Sequence, residues 1–480
     1  MSSAVLWIIL PGLLGTGLLF YRRDDRLPLT VAALTSLFLA WIAWQFPFDV
    51  VLTIGPFSFE IFPSFSLFGR SLTLSDLDRP PLTLIYFFQC LWVLGTVIAK
   101  PGRLFIPISL MCVSLFVAAL SVDPFLYAAI FIVLAMLVMI PLLVPPGQSA
   151  GPGVLRFLIF QVFAVPFILF TGWILTGVEA SPGNLNLILR SGLLLLLGFT
   201  FLLALFPFHS WIPMLAKESH PYVLGFLLFF LPTVASIFAL SFFDRYAWLR
   251  DSEFVYQILT LIGSLSILLS GLWAFVERHL GRILGFAAML GVGFNLLGMG
   301  LAGAEGVQVF FALLLPQLLG LWMMTVALGA LWRKSSEFDL IKLSTAFNSA
   351  PLTISALLLA VFSLAGLPIL ASFPPRMALF TQLSANTVWA AIAALGGCLA
   401  LAGAGVRILM TALPRKSRKP TAWVEEVEPI DSVTRSDIAD PYVWTFLAVS
   451  TIGLIGFGLF SRLFLAGVPG LASMFPLLFP

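Results

Sequence analysis

Apolar runs of about twenty residues recur along this chain, separated by short polar links. A helix that crosses a bilayer needs about 20 mainly apolar residues. By that measure fourteen segments are predicted, near residues 4–20, 28–46, 81–99, 104–121, 124–144, 155–178, 188–206, 222–243, 255–275, 283–304, 308–331, 351–371, 387–411 and 441–464. The first run, Ala4 to Phe20, has no basic residues before it and no small-residue cleavage site after it, so it reads as a span rather than a cleaved signal. Two links are longer than the rest. Between segments 2 and 3, GPFSFEIFPSFSLFGRSLTLSD alternates apolar and polar residues with turn signals, which predicts a short hairpin on the membrane surface. Between segments 13 and 14, residues 412–440 open on Arg415, Lys416, Arg418 and Lys419 and close on an acidic stretch, as a solvated loop or surface helix would.

Composition agrees with the pattern. Sixty per cent of the residues are hydrophobic and 10% are charged, with mean hydropathy +1.07, where soluble domains carry roughly 25% charged residues. The fold class is an all-α polytopic membrane protein of about 14 helices, one membrane domain over residues 1–480. Links after odd-numbered segments hold 18 of the 25 Lys and Arg and the remaining links hold 7. The positive-inside rule then makes the odd links cytoplasmic and puts both termini on the outer side of a cell membrane. The three cysteines lie in apolar runs without CxxC spacing, and the three histidines have no acidic or cysteine companions at ligand spacing, so no metal site is expected. The glycines of GVGFNLLGMG fall inside a span, where they favour close helix packing. The only basic cluster is a short juxtamembrane run that a lipid surface explains, so nucleic-acid partners are not expected.

The stretch FPFHSWIPMLAKESHP, Phe206 to Pro221, interrupts this pattern. Pro207 and Pro213 each lack an N–H and crowd the preceding turn, so no helix runs straight through. Five segments later LAGLPILASFPPRMALF, Leu364 to Phe380, sets Pro368, Pro374 and Pro375 around the end of segment 12. Broken helices at membrane depth mark ion sites in transporters. A repeat of five segments has odd length, so consecutive copies are inverted. Segments 4–8 (residues 104–243) and 9–13 (255–411) are expected to be two such repeats, preceded by segments 1–3 with the hairpin (1–103) and followed by a cytoplasmic loop (412–440) and a last helix (441–464). Ordinary proline kinks are the alternative.

PFHSWIP, then HP and GFL, then VERHLGRILGFAAMLGVGFNLLGMG and LAGLPILASF resemble the antiporter-like membrane subunits of respiratory complex I and of the multi-subunit sodium/proton antiporters. Their pattern runs PFHxWxPD, a GAP-type turn, a lysine-bearing helix, DxKRxxAYSS ending in Gly, and AGxPPxxGF. The resemblance covers most of the chain from about residue 80. It implies broken segments 7 and 12, proton movement driven by redox chemistry in other subunits, no flavin, iron–sulfur or haem cofactor on this chain, and partner membrane and redox subunits together with lipids. The chain itself would be a non-catalytic subunit.

The same resemblance exposes a loss. The family glutamate of segment 5 falls near Met136, the first lysine on Leu202, the segment 8 lysine on Pro232 or Thr233, and the DxKR lysine on Gly281, although Arg282 keeps its neighbour. Arg376 matches the charge after the second break. Buried charges in membranes are costly and normally present for function, so their absence predicts a degenerate proton channel and a structural role. The proton-path candidates that remain are His209, Lys217, Glu218, Arg282 and Arg376. His209 is a relay candidate at the mouth of the path; Lys217, Glu218 and His220 are expected to cap broken helix ends. Gln161, Asn295, Gln308, Gln317 and Ser363 could order water or simply join helices. A stand-alone secondary transporter is the alternative function, and an enzyme acting on lipid or polyprenyl substrates is disfavoured because no acids or histidines converge.

Overall fold

Each predicted segment becomes a helix in the computed structural model, which describes residues 2–21, 24, 26–48, 52–54, 57–59, 61–67, 69–144, 147, 149–180, 185–333, 338–340, 350–413, 437 and 440–478. The helices are α1 (Val5–Phe20), α2 (Arg26–Gln45), α3 (Arg79–Ala99), α4 (Phe105–Ser121), α5 (Ala128–Leu143), α6 (Pro152–Ala180), α7 (Leu185–Leu202), α8 (Trp211–Glu218), α9 (Pro221–Arg245), α10 (Glu253–Val276), α11 (Leu280–Met299), α12 (Gly303–Trp332), α13 (Pro351–Ala365), α14 (Phe373–Asn386), α15 (Val388–Ala412) and α16 (Pro441–Leu459). Ten helices among the described residues are long and apolar enough to cross a membrane; α1, α4, α13 and the apolar part of α7 are shorter. Both expected breaks are present, between α7 and α8 and between α13 and α14. Most of the 412–440 loop lies outside the described residues.

The core forms around the helices that are apolar on every side, as such helices must be enclosed. Every residue in the apolar window of α9 is buried, and α11 is buried almost throughout. Against α9 pack Trp92 of α3 and Phe105 of α4, with Trp92 edge-on to Tyr222, Phe226 and Phe229 at 4.9–5.5 Å between ring centres. Such edge-to-face contacts add about 0.5–1.5 kcal/mol beyond area burial. The Tyr222 hydroxyl donates to the Trp92 carbonyl, which satisfies its polar end inside the core.

Hydrogen bonds between links sort into two groups. Ser3 N donates to Phe62 O, strand β4 (Arg70–Thr73) pairs with β5 (Val122–Asp123), and Leu477 N and Leu478 N donate to Asp244, joining the N-terminus, the links after α2, α4 and α9, and the C-terminal tail. In the other group Glu218 accepts from Gly153 N, Arg333 donates to Ile98 O, Leu340 N to Arg278 O and Thr353 N to Asp437. The two groups are the even-numbered and odd-numbered links of the sequence, and both termini fall in the even group.

The link between α2 and α3 holds two hairpins where the sequence reading expected one. Strands β1 (Leu52–Ile54) and β2 (Phe57–Phe59) pair with Thr53 opposite Ser58, and β3 (Ser64–Leu67) pairs with β4 with Phe65 opposite Leu72. Gly69, at φ +73°, makes the second turn, a conformation glycine adopts without steric cost. The two hairpins divide at Pro63, which cannot donate to a ladder.

Candidate functional site

The first break begins where α7 stops at Leu202. Ala204 takes φ +53°, Leu205 N bonds back to Thr200 O, and a short turn at Phe208–Ser210 leads into α8. Pro213 sits in the first turn of α8, where a missing N–H costs nothing. Gln161 of α6 donates to Phe201 O at 3.4 Å, a carbonyl at the end of α7 that also accepts from Ala204 N at 3.4 Å. The second break has the same plan. Gly366 caps α13 at φ +79°, Ile369 follows at φ +75°, and Pro374 and Pro375 occupy the first turn of α14. A β-branched residue at positive φ is a strained one, and strain of this kind collects at functional sites. Pro207 and Pro368 are exposed in the two connecting stretches.

The candidate residues near the first break divide by partner. His209 stacks on Trp273 of α10, 4.7 Å between centres, and on Phe206, while its buried Nδ1 finds no partner among the described residues. Lys217 is exposed. Glu218 accepts from Gly153 N at 2.8 Å and Val154 N at 3.1 Å, placing its carboxylate on the N-terminus of α6, where both hydrogen bonding and the helix dipole favour a negative charge. The Nδ1 atom of His220 accepts from Tyr222 N and caps α9. Burial pushes its pKa down to about 4, so it caps as the neutral ring.

Helix α11 joins the two breaks. At its start Arg282 donates from Nε to Pro213 O of α8 and pairs through one guanidinium nitrogen with Glu277 Oε2, both at 3.1 Å. Burial acts to raise the Glu277 carboxyl, but the N–H groups of Arg278 and His279 and the Arg282 guanidinium bring it below the usual range. Gly281 and Gly285, one turn apart, let α11 touch α8: a Cβ on Gly281 would lie 2.8 Å from Ala216 O, and one on Gly285 2.5 Å from Ile212. Where the family pattern has its DxKR lysine, backbone leaves no room for any side chain. Further along, Phe294 lies under the Arg376 guanidinium at 4.1 Å, and Arg376 donates to Cys398 Sγ of α15 at 3.5 Å. Arg376 is 4% exposed, and no carboxylate among the described residues pairs with it. From Arg282 to Phe294 is twelve residues of helix, about 18 Å at the 1.5 Å rise.

Between these points the two halves differ. At the centre of the first, Leu202, Ala204, Trp211, Leu228, Pro232, Met289 and Val292 enclose a void of about 10 Å³. Pro232 lies inside α9 there, and the Thr233 hydroxyl donates to Phe229 O within the same helix. Met136 is completely buried. A void of this size is near the minimum for one water molecule, and a water also needs several polar partners; this lining is nearly all apolar, with the Trp211 indole as its one side-chain N–H. In the second half Asn295 and Ser363 are buried with oxygen atoms that find no partner among the described residues, and Gln317 lies against Gly291, one turn from Asn295 on the same face of α11. Gln308 is half-buried near the start of α12. Among the described residues no three His, Cys, Asp or Glu side chains lie together as a metal ion would need.

With this geometry in view, the profile of the family described as NADH:quinone oxidoreductase/Mrp antiporter, TM, matches residues 157–401, 245 of the 480. The chain belongs to this family. Among its relatives, NADH-quinone oxidoreductase subunit N 2 of Solidesulfovibrio magneticus is 29% identical over 189 residues, 39% of this chain and 40% of the relative. Subunit N of Rhodospirillum rubrum is 28% identical over 229 residues, 46% of each. The matched stretch thus spans less than half the length of these curated relatives. The antiporter-family fold is seen over nearly the whole chain. A chain of the Mrp complex from Dietzia sp. aligns with TM-score 0.80 at 18% identity, covering 99% of this chain and 97% of the other. A chain of respiratory complex I from Thermus thermophilus aligns with TM-score 0.74 at 20% identity, covering 99% of each. The match from residue 157 to residue 401 runs from α6 into α15 and takes in both breaks.

His209, Lys217 and Glu218 lie on the broken stretch itself, and the structure brings Arg282, which the sequence offered only as the neighbour of the DxKR position, to the same break through Pro213 O; Arg376 stands apart at the second. The sequence reading missed Trp273, Glu277, Phe294 and Cys398, the residues that hold His209, Arg282 and Arg376. The i, i+4 glycines of α11 were the available signal, because they mark the face on which that helix meets the broken segment.

Proposed function

We propose that this chain is an antiporter-like membrane subunit of a multi-subunit redox or cation/proton antiporter assembly, with a first half-channel that no longer carries protons. Its role is to hold the membrane arm together. The observation that carries this reading is the apolar void of about 10 Å³ at the first break, walled by Leu202 and Pro232. Leucine, proline and methionine neither bind nor release protons, and a pump needs groups that change charge at that depth. Gly281, pressed against Ala216 O, fits the same reading. The names of the relatives, NADH-quinone oxidoreductase subunit N, and the complexes that contain the similar chains support membership of such an assembly.

In this reading the segments cross fourteen times and segments 4–8 and 9–13 are inverted repeats. Support comes from the matched breaks, each with a non-glycine residue at positive φ, and from the segregation of odd and even links. The bias of Lys and Arg to odd links puts both termini on the outer face of the cell membrane. Glu218 and His220 act as helix caps, His209 as a stacked ring at the mouth of a closed path, and Arg376 as a clamp that draws α14 onto α11 and α15. A stand-alone transporter would need a polar midplane cavity, which the small, nearly all-apolar void at the first break does not offer. Purification of the tagged full-length chain from native membranes in gentle detergent tests the reading. Co-elution with flavin-, iron–sulfur- or antiporter-type subunits is the expected result; elution alone as a stable monomer or homodimer contradicts it.

A further inference from the structure

Helix α16 lies against α12 and α13 through one stripe of buried side chains, Val443, Phe446, Ser450, Leu454 and Phe457. Their spacing of three or four residues is that of a single helix face. The two ends of this packing fall on the two ends of α13. At its start, Asp437 Oδ2 accepts from Thr353 N at 2.9 Å and from Thr353 Oγ1 at 2.8 Å; Asp440, close behind in the chain, is the N-cap of α16. At the far end Gly458 sits on the second break. A Cβ on Gly458 would lie 2.0 Å from Ile369 O, 2.7 Å from Ile369 C and 2.9 Å from Leu370 C, so the two backbones touch and only glycine fits. The lengths agree. The 15 residues of α13 rise about 22 Å, and the stretch of α16 from Pro441 to Gly458 rises about 26 Å.

Gly458 meets the residue of the break that most needs holding. Ile369 is β-branched at φ +75°, where its Cβ crowds the backbone, and it is 60% exposed, so burial of its side chain does not fix that conformation. What fixes it is the hydrogen bonding of the turn, Leu367 N to Phe362 O and Leu370 N to Leu367 O, with the backbone of α16 pressed on the Ile369 carbonyl. We propose that α16 is a built-in lock on the second break: tied to both ends of α13, it holds the backbone of residues 366–372 in one conformation. A broken helix that gates a path needs a second arrangement to move to, and α16 removes it. Arg376 then stays in its contacts with Phe294 and Cys398. The second half is closed by packing, whatever the first half does.

Hydrogen–deuterium exchange on the full-length chain in its native assembly, held in nanodiscs, tests the lock. The N–H groups of Gly366, Leu367, Leu370 and Phe373 are hydrogen-bonded across the break and report its opening. In the wild type they should exchange as slowly as the interior of α13. Gly458→Ala should speed them about 10–100-fold, the range for an overpacked contact; Asp437→Ala, which frees the other end of α13, should speed them by a smaller factor. Leu205 N and Phe208 N, bonded at the first break, are the internal control and should not change in either variant. Exchange of the four amides in the wild type at the rate of an unprotected peptide overturns the proposal without any variant. So do Gly458→Ala rates equal to the wild type, or equal acceleration at the two breaks, which would mean general loosening. Asp437→Ala rates equal to the wild type overturn the tie at the start of α13.

Discussion

At the scale of single residues, the polar groups around the first break behave as caps and clamps, and two of them make measurable claims. Replacing Glu218 with alanine removes the acceptor for Gly153 N and Val154 N, so the thermal stability of the purified protein should fall by about 1 kcal/mol, the usual worth of a helix N-cap. His220 makes a claim about pH. Its folded-state pKa, pushed down to about 4 by burial, lies below the ordinary 6.5, so the unfolded chain binds the proton more readily. Its contribution is then complete above pH 6.5 and is lost as pH falls toward 4, by up to about 3 kcal/mol. Asparagine caps equally well and does not titrate. Melting curves from pH 7 to 4 should therefore show a smaller acid loss for His220→Asn than for wild type, and parallel losses would refute the assignment. Trp248 and Arg376 illustrate the same rule by contrast, since each has a polar group that no protein carboxylate or carbonyl among the described residues serves.

Among the elements, what decides function is how closely helices approach. Helices α10 and α15 meet backbone to backbone: a Cβ on Gly271 would lie 2.2 Å from Gly397 O, and one on Gly397 2.3 Å from Ile267 O. Gly397→Leu should force them apart and cost at least about 1–3 kcal/mol, the range for overpacked interiors, read as a lowered melting temperature and a loss of monodisperse protein. Element positions were legible in the sequence because twenty-residue apolar runs leave little choice in a bilayer. The breaks were legible too, since prolines cluster there, Pro207 with Pro213 and Pro368 with Pro374 and Pro375, whereas a single proline such as Pro232 stays inside a helix. The second hairpin was not, because residues 61–73 alternate no more clearly than the residues before them and their register depends on pairing with Val122–Asp123, fifty residues away. Nor was the strut made by α11. Contacts such as Arg282 with Pro213 O and Phe294 with Arg376 join residues 69 and 82 positions apart, and only packing sets them.

In the function proposed for the whole molecule, the antiporter-family fold is kept while the groups that would hold a proton in its first half are not. Arg376, tied to Phe294 and Cys398, then matters for architecture. Arg376→Met should lower the recovery of assembled complex several-fold, measured by co-purification with partner subunits, with no change in proton movement through this chain. The departures from the family pattern at Met136, Leu202, Pro232 or Thr233 and Gly281 were legible in the sequence; the small size of the void at the first break was not, because side-chain identity does not give cavity size. The most direct test is proton uptake by proteoliposomes holding the full-length chain, driven by a potassium diffusion potential and followed with an entrapped pH dye. The account predicts a rate equal to that of protein-free liposomes, and uptake above that level that disappears in Arg376→Met would contradict it.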